Sequence, residues 1–434
     1  MGEVRVAKSS SFSSVIDKYR PKLEQYEELY KHYHANGELS TQEKETAASI
    51  TEHLKKLSSD FDIRTGIGGH GQIAILKNGE GKTILLRADI DALPVAEKTG
   101  LPYASKKTQL DVDGVVKPVM HACGHDFHIT SLLAAAETLI AAQAEWSGTI
   151  VFLFQPAEER GCGAQAMVDD GLYDAKKHAC PIPDVVLGQH VFPLQAGKTG
   201  LKPGPLMSAA DSFKITIYGS GGHGSMPHMT IDPVVIASHV VVRLQTIVSR
   251  EVPPDETAVV TVGALNAGST ENVISDEAII KINIRSVSAE WREKILASVR
   301  RIVKAETLAG NSPKEATIEP TSSFPLTIND AETAGIINKS FTEHFGDQHD
   351  PAIKNVLGSE DFGILGSYID RPYCFWFFGG HDRAIFDEKT KSGQGHTIPV
   401  NHSPFFAPVI QPTLTTGVDA LVVAALTYLG KDRK

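Results

Sequence analysis

The densest chemistry in the sequence is MHACGHDFH, residues 120–128, where Cys123 and His125 place a thiol and an imidazole two positions apart. Both are good ligands for zinc or another first-row divalent ion. Asp126 could orient a histidine through its second ring nitrogen, while His128 is either a support of that kind or a structural residue. The same letters allow a rival chemistry, a Cys123 nucleophile activated by His121 or His125. That rival leaves the other reactive residues without a joint task. In FLFQPAEERG, Pro156 ends an apolar run and turns the chain, so the adjacent Glu158 and Glu159 point different ways. One acid can bind metal while the other handles a proton. His190 follows the apolar run DVVLG, and His402 lies far along the chain in PVNHSPFF. One cysteine, three histidines and a glutamate together make a metal site.

A further cluster, YGSGGHGSMPH at 218–228, surrounds His223 with glycines and adds Ser225 and His228 as hydrogen-bonding groups. It lacks the Lys followed by Ser or Thr that a nucleotide phosphate loop requires. A turn without a catalytic role is its plain alternative.

These residues need elements to position them. IAIL, TILLRADID, TIVFLFQP and DVVLGQHV are short apolar runs that read as strands, with the alanine-rich ITSLLAAAETLIAAQAEW reading as a helix between them. Buried strands alternating with helices predict an α/β domain with a mostly parallel sheet flanked by helices. Asp89, Asp91, Glu158, Glu159 and His190 all follow strand ends, where open parallel sheets gather ligands. From about Gly204 to Pro320 the pattern changes. DSFKITIYG, AVVTVGALN and AIIKINIRSV read as strands, and PVVIASHVVVRLQTIVSR and SAEWREKILASVRRIVKAETLA as helices. That order predicts a smaller inserted α+β domain built on a split β-α-β unit. The expected boundaries are 1–205 and 323–434 for the two parts of the catalytic domain and 206–322 for the insertion. The amphipathic stretches Tyr19–Tyr33 and Thr41–Leu57 carry no chemical motif and read as surface helices covering a sheet.

Composition narrows the function classes. The 434 residues are 41% hydrophobic and 22% charged, which suits a folded globular chain. The net charge is −10 and the basic residues are scattered, so no nucleic-acid partner is expected. Met1–Arg20 lacks a secretory apolar core, and no later stretch reads as an uninterrupted membrane span, so a cytoplasmic protein without a membrane partner is expected. The four cysteines, at 123, 162, 180 and 374, form no close pairs.

RADIDALP at 87–94, HACGHD at 121–126, FQPAEE at 154–159, GQH at 188–190, GGHGSMPH at 221–228, GSEDF at 358–362 and HSPFF at 402–406 resemble, in order and spacing, the motifs of the M20 metallopeptidases. The branch they are most similar to is the amidohydrolase group of aminoacylase-like, hippurate and auxin-conjugate hydrolases. The resemblance implies two divalent metal ions. Cys123 bridges them, and His125, Glu159, His190 and His402 complete the ligand set. It further implies that Glu158 is the catalytic carboxylate and that Asp91 supports the centre, with Asp89 outside the ligand set. The insertion becomes a lid or dimerisation domain, giving a homodimer. His223 approaches the reacting carbonyl within one chain or across subunits, and Asn272 and Arg285 meet substrate. Zinc is the metal that thiolate and imidazole favour, with manganese or cobalt also able to support turnover.

The activity implied is hydrolysis of the amide bond in N-acyl amino acids or related conjugates. A metal-dependent dipeptidase and a noncatalytic metal-binding protein are the alternatives. Phe127 stands where close relatives often have glycine, which predicts a narrower entrance to the site or a tighter layer of residues behind its ligands. The segment 379–400 is longer than the resemblance leads one to expect.

Overall fold

A computed structural model describes residues 12–431. Part of Met1–Arg20, on which the expected absence of a leader rests, lies outside the described residues. In chain order the elements that matter are helices α1 (Phe12–Tyr19), α2 (Glu24–Ala35) and α3 (Lys44–Leu57), then strands β1 (Asp62–Ile67), β2 (Gly71–Asn78) and β3 (Thr83–Asp89). Helix α4 (His125–Ala141) leads to β4 (Gly148–Gln155), β5 (Val185–Gln195) and β6 (Thr199–Gly200). Next come β7 (Ala209–Tyr218), β8 (Gly222–His223), α5 (Pro233–Thr246), β9 (Ala258–Ala267), β10 (Val273–Ile274), β11 (Glu277–Ser286), α6 (Ala289–Ala309) and β12 (Thr317–Phe324). The chain finishes through α7 (Ala331–Phe345), β13 (His349–Asp350), β14 (Tyr373–His381) and α8 (Ile410–Leu429).

Two compact units result. The first runs up to Leu206 and resumes with Ile328–Lys354 and from Asp361 onward; the second comprises Met207–Thr327 and Asn355–Glu360.

The first unit is an α/β layer structure around an eight-stranded sheet in the order β1-β2-β4-β3-β5-β14-β6-β13. Its centre, β4-β3-β5-β14, is parallel, while β1 and β2 join antiparallel at one side. β4, GTIVFLFQ, is buried along nearly its whole length, which is what an apolar run without alternation demands of a strand covered on both faces. α4 is buried on almost every side, and its alanines let neighbouring elements approach closely. α8 is long and apolar enough to cross a bilayer by length and composition, yet most of it is buried as a core helix. Phe127 is fully buried, its ring 4.1 Å from that of Tyr30 on α2. It therefore fills the helix-to-helix core and does not narrow an entrance.

The second unit is a four-stranded antiparallel sheet, ordered β9-β11-β7-β12, whose core is built with residues of α5 and α6. Its chain order, β-α-β-β-α-β, is the split β-α-β arrangement. The fourth strand, TIEPTSSF, was not foreseen. Pro320 interrupts it, yet sits opposite Phe213 at a register shift on an edge strand, where a missing N–H is tolerated.

Candidate metal centre

Asp91 and the two glutamates follow the carboxyl ends of central strands as expected, but His190 does not: its strand runs on to Gln195, so the histidine projects from the middle of it. β3 ends at Asp89 and leads to Asp91, β4 leads through Pro156 to a single turn at Glu158–Arg160, and β5 carries His190. Cys123 and His125 flank the start of α4. Between them Gly124 adopts φ 82°, and a Cβ there would come 2.3 Å from Cγ1 of Val191. Only glycine brings a thiol and an imidazole so close to the His190 strand. His402 arrives from the distant loop before α8, its own backbone left-handed at φ 70° and its N–H donating to the Ala122 carbonyl at 2.8 Å.

The side chains converge. Cys123 Sγ lies 3.4 Å from His190 Nε2. His125 Nε2 is 3.7 Å from Glu159 Oε1 and 3.9 Å from Glu158 Oε2. His402 Nε2 is 3.3 Å from Glu159 Oε2. Donor atoms of Cys123, Glu159 and His402 fall within 4.8 Å of one another, as do those of His125, Glu158 and Glu159. Glu159 belongs to both groups, one oxygen toward each histidine.

Tautomers follow from the partners. Nδ1 of His125 donates to the Asp91 carbonyl at 2.8 Å, and Nδ1 of His190 donates to the Val191 carbonyl at 2.7 Å. A carbonyl only accepts, so each Nδ1 carries a proton. For His190 this leaves Nε2 as a lone pair facing the sulfur, because burial and the neighbouring His128 hold its pKa well below the ordinary value. Burial also opposes charge on His125, but Asp89 and Asp91 more than offset it and raise that ring to about 10. The Cys123 thiol is pushed well up by burial and by Glu159, Glu158 and Asp89. A buried thiol among carboxylates becomes a thiolate only beside positive charge.

Two buried donor atoms, His125 Nε2 and Glu159 Oε1, have no hydrogen-bond partner. Thiol, imidazole and carboxylate donors in this number, with atoms left unsatisfied where they meet, fit divalent cations and fit two ions better than one. The nucleophile alternative loses its expected partners: the ring nitrogen beside Cys123 belongs to His190, not to His121 or His125.

Asp89, whose Oδ2 stands 3.5 Å from His125 Nε2, and His128 are tied to further partners. Arg87 Nη1 donates to Asp89 at 2.7 Å, and His128 Nδ1 meets its other oxygen at 2.5 Å. The Val191 N–H donates to His128 Nε2 at 2.8 Å, so that lone pair is spent. Asp91 ties the loops together: Oδ2 accepts from Ser40 Oγ at 2.6 Å and from the Glu159 N–H at 3.0 Å. Asp126 does orient a histidine, but it is His34, at 2.7 Å, and not a residue of the cluster. Asp361 of GSEDF accepts from Gln155 Nε2 at 2.6 Å and from the Ala164 N–H at 3.0 Å, bracing the turn after β4.

Three residues that bond to the loops of the site gave no sequence signal. These are Ser40, Glu43 and Asn401, whose Nδ2 donates to the carbonyls of Cys123 and Val191 at 3.1 and 3.2 Å. Each acts on a partner distant in sequence, which no local pattern reveals.

In the second unit, β8 pairs with β10 so that His223 lies opposite Val273, beside Asn272, whose carbonyl accepts from the Gly224 N–H at 2.8 Å. His223 is exposed, and its Nδ1 accepts from Ser225 Oγ at 2.8 Å. Arg285 is at the other end of β11, where Nη1 bonds the Leu357 carbonyl and Ser359 Oγ. The structure thus brings His223 and Asn272 together and keeps Arg285 apart, by roughly 25 Å along β11 at a strand's usual rise.

A model of peptidase family M20/M25/M40 matches residues 85–391. The N-acetyl-L-cysteine deacetylase of Bacillus subtilis is 40% identical over 355 residues, covering 81% of this chain and 79% of that protein. The hippurate hydrolase of Campylobacter jejuni is 38% identical over 358 residues, covering 81% of this chain and 87% of its own. Among solved structures, the Bacillus subtilis YXEP protein, described as a dinuclear metal binding peptidase from the M20 family, superposes with a TM-score of 0.71. It is 28% identical, and the match covers 93% of this chain and 97% of that one.

Proposed function

The chain belongs to peptidase family M20/M25/M40 and is a metal-dependent hydrolase, and from that premise we propose that it cleaves the amide bond of N-acyl amino acids or related conjugates, releasing a carboxylate and an amine. The observation that carries this reading is the pair Glu158 and Glu159. One acid lies between His125 and His402, and the other stands beside His125 with its own carboxylate at the edge of the donor cluster. The two relatives named for deacetylation and for hippurate hydrolysis support an N-acyl amino acid as substrate.

In this reading Cys123, His125, Glu159, His190 and His402 would hold two divalent ions. Zinc is the metal these donors prefer, ahead of manganese and cobalt at equal availability. Bound there, the ions supply Lewis acidity, polarising the carbonyl and making a water acidic enough to attack near neutral pH. Glu158 accepts the proton of that water and returns it to the departing nitrogen. Asp91 fixes the tautomer of His125 through its carbonyl and the turn of Glu159 through its carboxylate. His223 stabilises the developing oxyanion. Asn272 and Arg285 receive the substrate, the guanidinium suiting a free carboxylate.

The separation of His223 and Asn272 from Arg285 along β11 favours a homodimer, in which a second copy supplies His223 together with Asn272. A cytoplasmic setting, which keeps Cys123 reduced, completes the proposal.

A dipeptidase shares every residue of this scheme, and the peptidase description of the YXEP protein favours it as the second reading. The test is a panel of N-acetyl, N-benzoyl and other N-acyl amino acids beside dipeptides. It is run on protein whose metal content has been measured, with Glu158→Gln as control. Turnover of N-acyl amino acids that the control lacks supports the proposal; turnover confined to dipeptides moves it to the second reading. No hydrolysis of either class by metal-replete protein would overturn both.

A further inference from the structure

Residues 36–43 join α2 to α3, and two of their acids are buried. Glu38 is 4% exposed and Glu43 fully buried. They divide the work unusually. Glu43 immediately precedes α3 but makes no capping bond to it. The cap comes from Glu38, which accepts from the N–H groups of Glu45 at 3.2 Å and Thr46 at 2.7 Å. Glu43 is thereby released from the helix end, the usual task of an acid at that position.

Its carboxylate reaches instead across the molecule. Oε1 accepts from the Thr41 N–H at 2.8 Å and from the Ala157 N–H at 2.9 Å. Both of those residues hold a left-handed backbone, Thr41 at φ 71° and Ala157 at φ 50°, which L side chains adopt only when the surroundings impose it. Ala157 is the residue from which the Glu158–Arg160 turn departs. Three residues before Glu43, Ser40 donates to Asp91, and Asp91 accepts from the Glu159 N–H. One short loop therefore grips the turn of the two glutamates at two points, directly at Ala157 and through Asp91 at Glu159.

We propose that Glu43 is a positioning residue of the hydrolytic centre, which through the Ala157 N–H fixes the turn that presents Glu158 and Glu159. It touches neither substrate nor metal. The inference rests on the assignment of proton transfer to Glu158 and metal binding to Glu159, but the contact it names exists without substrate. Loss of the Oε1 acceptor should let Ala157 leave the left-handed region and turn both glutamates away from His125. Glutamine supplies the same acceptor at the same reach, so Glu43→Gln should behave as the wild type. Glu43→Met fills the same volume without an acceptor.

The experiment compares wild type, Glu43→Gln and Glu43→Met by hydrogen exchange of the segment 155–161, by zinc titration of metal-stripped protein, and by steady-state kinetics on whichever amide substrate the wild type turns over. In the methionine variant, exchange of that segment accelerates, zinc affinity falls about tenfold, and kcat falls about ten- to a hundredfold with KM nearly unchanged. The glutamine variant keeps all three. Wild-type exchange and zinc affinity in Glu43→Met would overturn the proposal, as would equal losses in the methionine and glutamine variants. If Glu43→Met does not fold, Glu43→Asp takes its place. One methylene shorter, it cannot span Thr41 and Ala157, and wild-type exchange in that variant would overturn the proposal equally. Exchange and zinc affinity are read without substrate, so failure of the proposed amide hydrolysis would leave this test standing.

Discussion

The sulfur of Cys123 lies 3.4 Å from Nε2 of His190, whose other nitrogen is spent on the Val191 carbonyl at 2.7 Å. The buried thiol donates to the lone pair of Nε2, and with a divalent cation bound the sulfur and the nitrogen would both serve as ligands. Cys123→Ala removes the sulfur and leaves the remaining donors spread around a gap. Metal bound per chain, measured on purified protein, should fall to about half or less, with affinity down at least tenfold or so. Full metal occupancy in this variant would show that the thiol is not a ligand.

Glu158 predicts the opposite pattern. Its Oε2 stands 3.9 Å from His125 Nε2, farther than the contact of Glu159 Oε1 with the same ring. Glu158→Gln keeps the shape and removes the base, so metal content should remain at the wild-type level while kcat falls by about 10²- to 10⁴-fold. Loss of metal equal to that in Cys123→Ala would sink the division of tasks between the two acids.

The elements that announced themselves in sequence were those whose burial is uniform or whose residues are chemically rare. β4 and β5 are apolar runs because both faces are covered, and Glu158 and Glu159 follow a strand end where ligands gather, whereas Cys123 and His125 stand at the start of α4 and His190 lies within β5 rather than beyond its end. β12 was illegible because TIEPTSSF is an edge strand whose exposed faces need no apolar alternation. Of the two expectations for Phe127, the narrower entrance fails, because its burial against Tyr30 is a relation between helices and not a property of its motif. Glu43, Ser40, Asn401 and His34 escaped for one reason: each meets its partner through a hydrogen bond that spans a long stretch of chain. Local patterns carry propensity and periodicity, and neither encodes such a pair.

Gly124 is the position where fold and site constrain each other most tightly. Its φ of 82° and the 2.3 Å approach of a Cβ to Val191 Cγ1 leave no room for a side chain. Gly124→Ala must either strain the backbone, at about 1–2 kcal/mol, or push the β5 strand away, at about 1–3 kcal/mol for the overpacking. A lowered melting temperature should accompany reduced metal content, because the shift moves Cys123 and His125 relative to His190. A variant that melts and binds zinc as the wild type does would show that the strand yields freely there.

His34 connects pH to stability. It is buried, with Nδ1 2.7 Å from Asp126 Oδ2 and Nε2 3.0 Å from Glu97 Oε1. Burial opposes its charge, but the two carboxylates outweigh burial and hold the ring at about 10, against 6.5 for an ordinary histidine. A pKa raised on folding stabilises fully below the unfolded value and is lost as pH climbs through the folded one. The contribution is therefore complete below about pH 6.5 and declines by about 1.4 kcal/mol per unit above it, or on the order of 3 kcal/mol by pH 9. Asp126 and Glu97 act in the reverse sense. Burial raises both, the bonds from His34 more than compensate, and their lowered pKa values give stability that is lost in acid. The network should be strongest from about pH 5 to 6.5. Urea unfolding at pH 6.5 and pH 9 should show the wild type losing more stability between the two than His34→Gln, which carries no proton to lose. Equal losses in the two proteins would mean that His34 does not hold its charge in the folded state.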